Sequence, residues 1–237
     1  MKNQYFGDIN DYRKYGLLRI LSDMGQIKTA VCWMRTPDDG RHDGKRKKYL
    51  QNADEWTCYD QALFQLLASC PDTEQDKLKW AESSNILPPT TVFHCKLLSD
   101  DREERQQYFD EFLKKAKGCP LVFFDPDNGV EVRSKPRGRK DACKYLYSDE
   151  LYRTFHAGHS VLVYQHFPRV ERNQFICCLA ADLRVLAASP HVLSFRTSHV
   201  VFMLIPQACR LAYFRCRGEE VERRWRSQIG YERHPGT

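Results

Sequence analysis

Residues 118–129 read GCPLVFFDPDNG, and the parsing of this run decides the fold. Four apolar residues, Leu121 to Phe124, stand between Gly118-Cys119-Pro120 and Asp125-Pro126, the pattern of a short buried strand. Just upstream, Tyr108, Phe109, Phe112, Leu113 and Ala116 share one face at helical spacing, and Gly118 stops that helix. Downstream, the pattern predicts a helix from Ser148 to Phe155, a strand from Ser160 to Phe167 and a helix from about Arg172 to Leu186. Nearer the amino terminus, Asp8 or Asn10 caps a helix running through Tyr12, Leu17, Leu18 and Leu21 as far as Gly25. Strand Ile27 to Met34, helical spacing over Tyr59 to Leu67, and strand Thr91 to Leu98 follow; the last is the one clear strand between residues 50 and 118. Alternation of helix and strand predicts parallel pairing through crossovers. His199 to Ile205 and Leu211 to Cys216, only a few residues apart, then read as an antiparallel hairpin. The expectation is an α/β, Rossmann-like three-layer sandwich, its mostly parallel sheet ending in an antiparallel hairpin. With no repeat, low-complexity tract or linker, residues 1–237 read as a single domain.

Composition narrows the class. Hydrophobic residues at 42% and aromatics at 12% of 237 supply a core and exclude a disordered chain. The longest apolar run, around Val200 to Ile205, is far short of the ~20 residues of a membrane helix, so no membrane span is expected. The first residues contain no apolar h-region, which predicts a cytoplasmic protein. Ten cysteines include no C-x2-C pair, so most are read as small buried apolar side chains rather than zinc ligands.

Three segments carry candidate chemistry, each just beyond a strand or at a helix start, where α/β sheets hold ligands. In Phe124-Asp125-Pro126-Asp127-Asn128-Gly129, proline fixes the backbone on either side of a strand-end carboxylate and aims it into the crevice. The same run also has the composition of a plain chain-reversing turn. Around the first helix start, Gly7, Asp8, Asn10, Asp11, Arg13 and Lys14 crowd together; capping and an Asp11–Lys14 pair explain part of that density. The loop after the first strand holds Asp38, Asp39, Gly40, Asp43 and Gly44, suited to a cofactor, to a divalent metal, or to nothing but solvent.

The run GDINDYRKY, with Gly7, Asp11 and Lys14, resembles the amino-terminal G-N-x-x-D-x-x-K-H signature of the bacterial large-subunit ribosomal RNA adenine-N6 methyltransferase family. A strand and loop directly after that helix, then a strand ending in Asp-Pro where the family has D-P-P-Y, are similar in order and spacing. A parallel sheet finished by a hairpin is also the layout of the class I methyltransferase fold. The resemblance implies an S-adenosylmethionine-dependent methyltransferase-like protein acting on nucleic acid. By resemblance Asp125 accepts from the target amino group; Asp127, Asn128, Lys14 and His166 are the other candidate catalytic residues. Gly7, Asp8, Asp11 and the loop Asp38, Asp39, Gly40, Asp43 would hold S-adenosylmethionine. Asp127 and Asn128 stand where the family has its second proline and its aromatic, leaving Phe123 or Phe167 as candidates to stack a base.

A competing reading takes Asp38, Asp39 or Asp43 with Asp125 and Asp127, supported by Asn128, as ligands for Mg2+ in phosphodiester cleavage, with His166 as base. Basic clusters bear on the partner: Arg41, Lys45, Arg46, Lys47 and Lys48 in the first loop, and Arg133, Lys135, Arg137, Arg139 and Lys140 after the Asp-Pro motif. Both flank the proposed crevice, which predicts RNA or DNA as partner. A non-catalytic nucleic-acid binder on the same fold is the third reading.

Overall fold

The computed structural model describes all residues except 39, 41–45, 72 and 237. Helix α1 (Ile9–Leu21) leads into β1 (Thr29–Cys32), followed by three short helices, α2 (Ala53–Trp56), α3 (Gln61–Ala68) and α4 (Lys77–Ser83). Then come β2 (Val92–His94), α5 (Arg102–Ala116), β3 (Leu121–Phe124), β4 (Gly129–Val130), β5 (Tyr145–Leu146), α6 (Ser148–His156) and β6 (Ser160–His166). The chain closes with α7 (Arg172–Ala187), β7 (His191–Arg196), β8 (Val200–Ile205), α8 (Leu211–Trp225) and β9 (Gly230–Pro235).

Seven strands form one sheet in the order β2-β1-β3-β6-β8-β7-β9, while β4 and β5 pair separately. The core β2-β1-β3-β6 is parallel, and β8 runs antiparallel to both β6 and β7. The expected α/β sandwich with a closing hairpin is therefore present, but the hairpin is β7–β8. Leu211 to Cys216, expected as its second strand, is instead the first part of α8. The helix prevails because Phe214, Gly218, Val221 and Trp225 repeat at helical spacing and are all buried, which gives it one continuous apolar stripe. The carboxyl-terminal β9 pairs with the outer side of β7.

Strand alternation divides the core in two. Val31, Phe123, Leu162 and Phe202 pack toward α1, α3, α4 and α8, and Cys32, Phe124, Val163 and Met203 toward α5, α6 and α7. On the first side α1 and α8 approach so closely that a Cβ on Gly16 would lie 2.0 Å from the Trp225 ring. All ten cysteines are free thiols. Contrary to expectation only Cys32, Cys119 and Cys143 are buried, while Cys58, Cys177, Cys178, Cys209 and Cys216 are exposed; the last four lie on or beside the solvent faces of α7 and α8. Among the described residues no helix is long and apolar enough to cross a membrane.

Candidate functional site

The register of the three central strands builds the site. Cys32 pairs with Phe124, and Phe124 with Val163, so the next residues along, Trp33, Asp125 and Tyr164, form a row at the carboxyl edge of the sheet. By parity all three belong to the α1 side. The row is extended by one more ladder bond, from the Asp125 N–H to the Cys32 carbonyl, 3.0 Å.

Helix α1 delivers a cation onto this row. Its N-cap is Asp8, whose Oδ1 accepts from the N–H groups of Asn10 (2.8 Å) and Asp11 (2.9 Å), satisfying donors that a helix start leaves open. Gly7 turns the chain into the helix at φ +81°, a conformation glycine adopts without strain, and its N–H donates to Asp11 Oδ2 at 2.8 Å. One turn on, Lys14 Nζ lies 2.7 Å from Asp11 Oδ1 and 2.7 Å from Asp125 Oδ2. The aromatic faces of Tyr15, Trp33 and Tyr164 surround the ammonium at 5.5–6.0 Å. Burial resists charging Lys14, but Asp11 and Asp125 outweigh it and hold the ammonium firmly protonated. Asp125 is pushed upward by burial, which the Lys14 charge and the Met1 amino group oppose only in part.

Asp127 faces the same space. Its carboxylate accepts from Thr36 Oγ1 at 2.6 Å and pairs with the Met1 amino group at 2.8 Å. Burial would raise it, but the amino group and the Thr36 hydroxyl prevail and keep it below the ordinary carboxylate range. The Met1 amino group also donates to the carbonyls of Met34 (3.2 Å) and Asp125 (2.9 Å). Among the described residues Asp8 has no salt-bridge partner; burial and the neighbouring Asp11 charge push it up to about 7. His166 Nε2 is 3.1 Å from the Tyr164 hydroxyl. His166 is exposed at the crevice, yet desolvation by the protein around it disfavours the imidazolium.

Together these side chains enclose a crevice of about 610 Å3. Asp8, Asp11, Lys14, Asp125, Asp127, Asn128 and His166, all expected from sequence, do line it. Gly7 acts through its bond to Asp11. Asp38 and Gly40 do not join the lining: they are exposed and tied to Gln4, Asp38 Oδ1 accepting from its N–H and the Gly40 N–H donating to its Oε1. Asp39 and Asp43 lie outside the described residues. Phe123, a stacking candidate, is fully buried in the core because strand parity turns it under the sheet; Phe167 stands at the surface of a neighbouring cavity. Of the second basic cluster, Lys135 is paired with Asp141 and Arg137 with Asp149 and Glu150, while Arg133, Arg139 and Lys140 are exposed with no salt-bridge partner among the described residues. Sequence reasoning missed Tyr164, Tyr15 and His199. The tyrosines carry a signal, since Tyr15 adjoins Lys14 and Tyr164 shares a strand face with His166.

No family model matches the chain. None of the curated proteins matches it either. Among solved structures it is similar to protein LPL1258 from Legionella pneumophila str. Philadelphia 1, family-model DUF519, at 11% identity over 98% of each chain with a TM-score of 0.48. That likeness is too loose to assign any residue a role, and the chemistry rests on the crevice itself.

Two polar groups in and beneath the crevice are conspicuous. Asn10 Oδ1 and the Tyr15 hydroxyl are buried without a hydrogen-bond partner among the described residues. Buried acceptors left open cost roughly 1–3 kcal/mol, and Asn10 lines the crevice.

Proposed function

We propose that the chain, acting as one domain over residues 1–237, is an S-adenosylmethionine-dependent methyltransferase of nucleic acid, with its reaction centre at Asp125. The observation that carries this reading is the position of Asp125. It ends the second of three adjacent parallel strands, in a sheet closed by an antiparallel hairpin, and opens into a crevice of about 610 Å3.

The residues present suit the cofactor's amino-acid end. Asp127 and the carbonyls of Asp125 and Met34 already receive a primary ammonium, that of Met1, a chemical stand-in for the methionine ammonium. Asn10 Oδ1 is a further acceptor without a donor. When bound, the cofactor supplies an electrophilic methyl group. Asp125 gives one oxygen to Lys14, which fixes the plane of the carboxylate; the other accepts a hydrogen bond from the acceptor's amino group and orients its lone pair. Lys14, held charged between two carboxylates, cannot serve as a base; its role is to keep Asp125 anionic and aimed. The apolar and aromatic floor of Trp33, Tyr15 and Tyr164 keeps water from these charges.

The magnesium reading needs carboxylates free of a fixed cation, whereas the buried Lys14 ammonium sits 2.7 Å from Asp125 and repels a second positive charge there, so the transferase reading is preferred. The test is transfer of a labelled methyl group into total RNA and into DNA. Asp125→Asn should keep cofactor affinity within about threefold and lower transfer by at least ~100-fold. Undiminished transfer in that variant would remove Asp125 from the reaction.

A further inference from the structure

Beside the carboxylate crevice lies a larger cavity of about 790 Å3 that shares Asn128 and His166 with it. Its walls are apolar and come from three places: Val130 and Val132 after the Asp-Pro turn, Phe167 and Pro168 after β6, and Phe175 and Leu179 of α7. Phe167 and Phe175 meet edge to face with centroids 6.2 Å apart. Val185, also in the lining, is an apolar side chain 83% exposed. Two carboxylates reach the cavity, Glu131 and Asp182; Glu131 is held by the Ser148 N–H at 2.7 Å.

Cations lie close to both cavities, Arg46 in the lining of the carboxylate crevice and Arg172 over the larger cavity's Phe167. Arg13 Nη1 reaches Ser198 Oγ at 3.4 Å, and that hydroxyl is 2.8 Å from His199 Nδ1. Arg46 and His199 both line the crevice mouth. Arg172 lies over Phe167 at 5.1 Å. None of these three arginines has a salt-bridge partner among the described residues; Arg13 donates to the neutral Gln228 Oε1. Burial first, then the charges of Arg46, Arg13 and Arg172, hold the His199 imidazole below its ordinary value, so these groups share one electrostatic neighbourhood. At the junction the Asn128 side-chain amide has no hydrogen bond among the described residues. Its backbone is pinned from both sides, its N–H donating to the Lys144 carbonyl and its carbonyl accepting from the His166 N–H.

An apolar slot with two aromatic rings, an uncommitted amide where it opens onto the carboxylates, and arginines close by match the parts of a nucleotide: π-face, hydrogen-bonding edge and phosphate. An apolar peptide or acyl chain would use the slot but leave the arginines without a counterpart. We propose that this cavity receives one unstacked base of a single-stranded or locally opened nucleic acid, read at its edge by Asn128, with the flanking phosphate on the exposed Arg46 and Arg172. The proposal rests on the nucleic-acid part of the function above and narrows it, since a base inside a duplex cannot enter such a slot.

The test is fluorescence anisotropy with a labelled single strand of about 12 nucleotides, as RNA and as DNA, against the blunt duplex of the same sequence. Its companion is the fluorescence of a 2-aminopurine within the single strand. The expected result is at least about tenfold tighter binding of the single strand, with brightening of the 2-aminopurine as it unstacks. Phe175→Ala should weaken single-strand binding at least fivefold and abolish the brightening while leaving duplex binding unchanged. Phe175→Leu, which keeps the apolar volume, separates loss of the ring from collapse of the wall and should show the same loss of brightening. Arg46→Ala and Arg172→Ala should each reduce the slope of log affinity against log salt by about one. Equal binding of single strand and duplex, indifferent to Phe175 but sensitive to the arginines, would overturn the base pocket while sparing nucleic acid as partner. No binding of any oligonucleotide by the wild type at low salt would overturn both.

Discussion

Lys14→Met is the perturbation that interrogates the site most sharply. The ammonium sits 2.7 Å from each of two carboxylates, and its side chain is 2% exposed, those of Asp11 and Asp125 4% and 3%. Removing one partner of such a buried group costs about 3–5 kcal/mol, because the charges left behind are neither solvated nor compensated. Methionine preserves the volume, so little of that loss is cavity formation. Asp11 keeps the Gly7 N–H, whereas Asp125 loses its one close side-chain donor and must take up a proton to remain buried. Its folded pKa, already raised, then rises further above the unfolded value. The folded state therefore binds more protons than the unfolded one, and stability falls as pH rises, by up to about 1.4 kcal/mol per unit. Urea denaturation of wild type and variant at pH 5.5 and 8 should show a deficit that widens with pH. Adding Asp125→Asn to Lys14→Met should restore at least about 1.5 kcal/mol, a coupling expected for groups in direct contact. A deficit below about 1 kcal/mol, one independent of pH, or simple additivity would refute the clamp.

Three other variants test neighbouring statements. Asp8 is pushed up to about 7, so its folded state favours the protonated form and loses stability as pH rises from about 4 to 7. Asp8→Asn, an equally good cap, should flatten that dependence and be more stable than wild type at pH 8 by about 1–2 kcal/mol. His94 is fully buried, with neither ring nitrogen hydrogen-bonded among the described residues, and burial lowers it to about 4. The wild type should lose stability as pH falls from about 6.5 through 4, and His94→Phe should remove that loss and gain about 1–2 kcal/mol at pH 7, measured by thermal and urea unfolding. Gly16→Ala drives a Cβ into the Trp225 ring and should cost about 1–3 kcal/mol with a changed tryptophan emission; an unaltered melting temperature would contradict the α1–α8 packing.

Much of the parallel core was legible because its strands are short apolar runs closed by Asp, Pro or Gly and separated by strongly periodic helices. Leu121 to Phe124, the α5 face of Tyr108, Phe109 and Phe112, and the limits of α7 all emerge from that punctuation. The carboxyl-terminal third was harder. Leu211 to Phe214 are four consecutive apolar or aromatic residues, which periodicity cannot divide between helix and strand; only the later Val221 and Trp225 reveal the stripe. β7 carries His191 and Arg196 at its ends, and the edge strand β9 is largely polar, as exposed edges are, so neither announces itself. In the site, the Asp11–Lys14 pair and the strand-end position of Asp125 were visible. Their union was not, because it spans 111 residues and depends on strand register. Strand parity nevertheless held the clue: Phe123 and Asp125 share a face, and the face that buries Phe123 turns Asp125 toward the helix bearing Lys14.

Calorimetric titration of the purified protein with S-adenosylmethionine in EDTA probes the proposed cofactor crevice at Asp125 without any acceptor. The expected result is one site per chain with a Kd at or below ~100 μM, comparable binding of S-adenosylhomocysteine, and a loss of at least about tenfold in Asp127→Ala. Absence of saturable heat with either compound, in a protein that melts cooperatively, would contradict it.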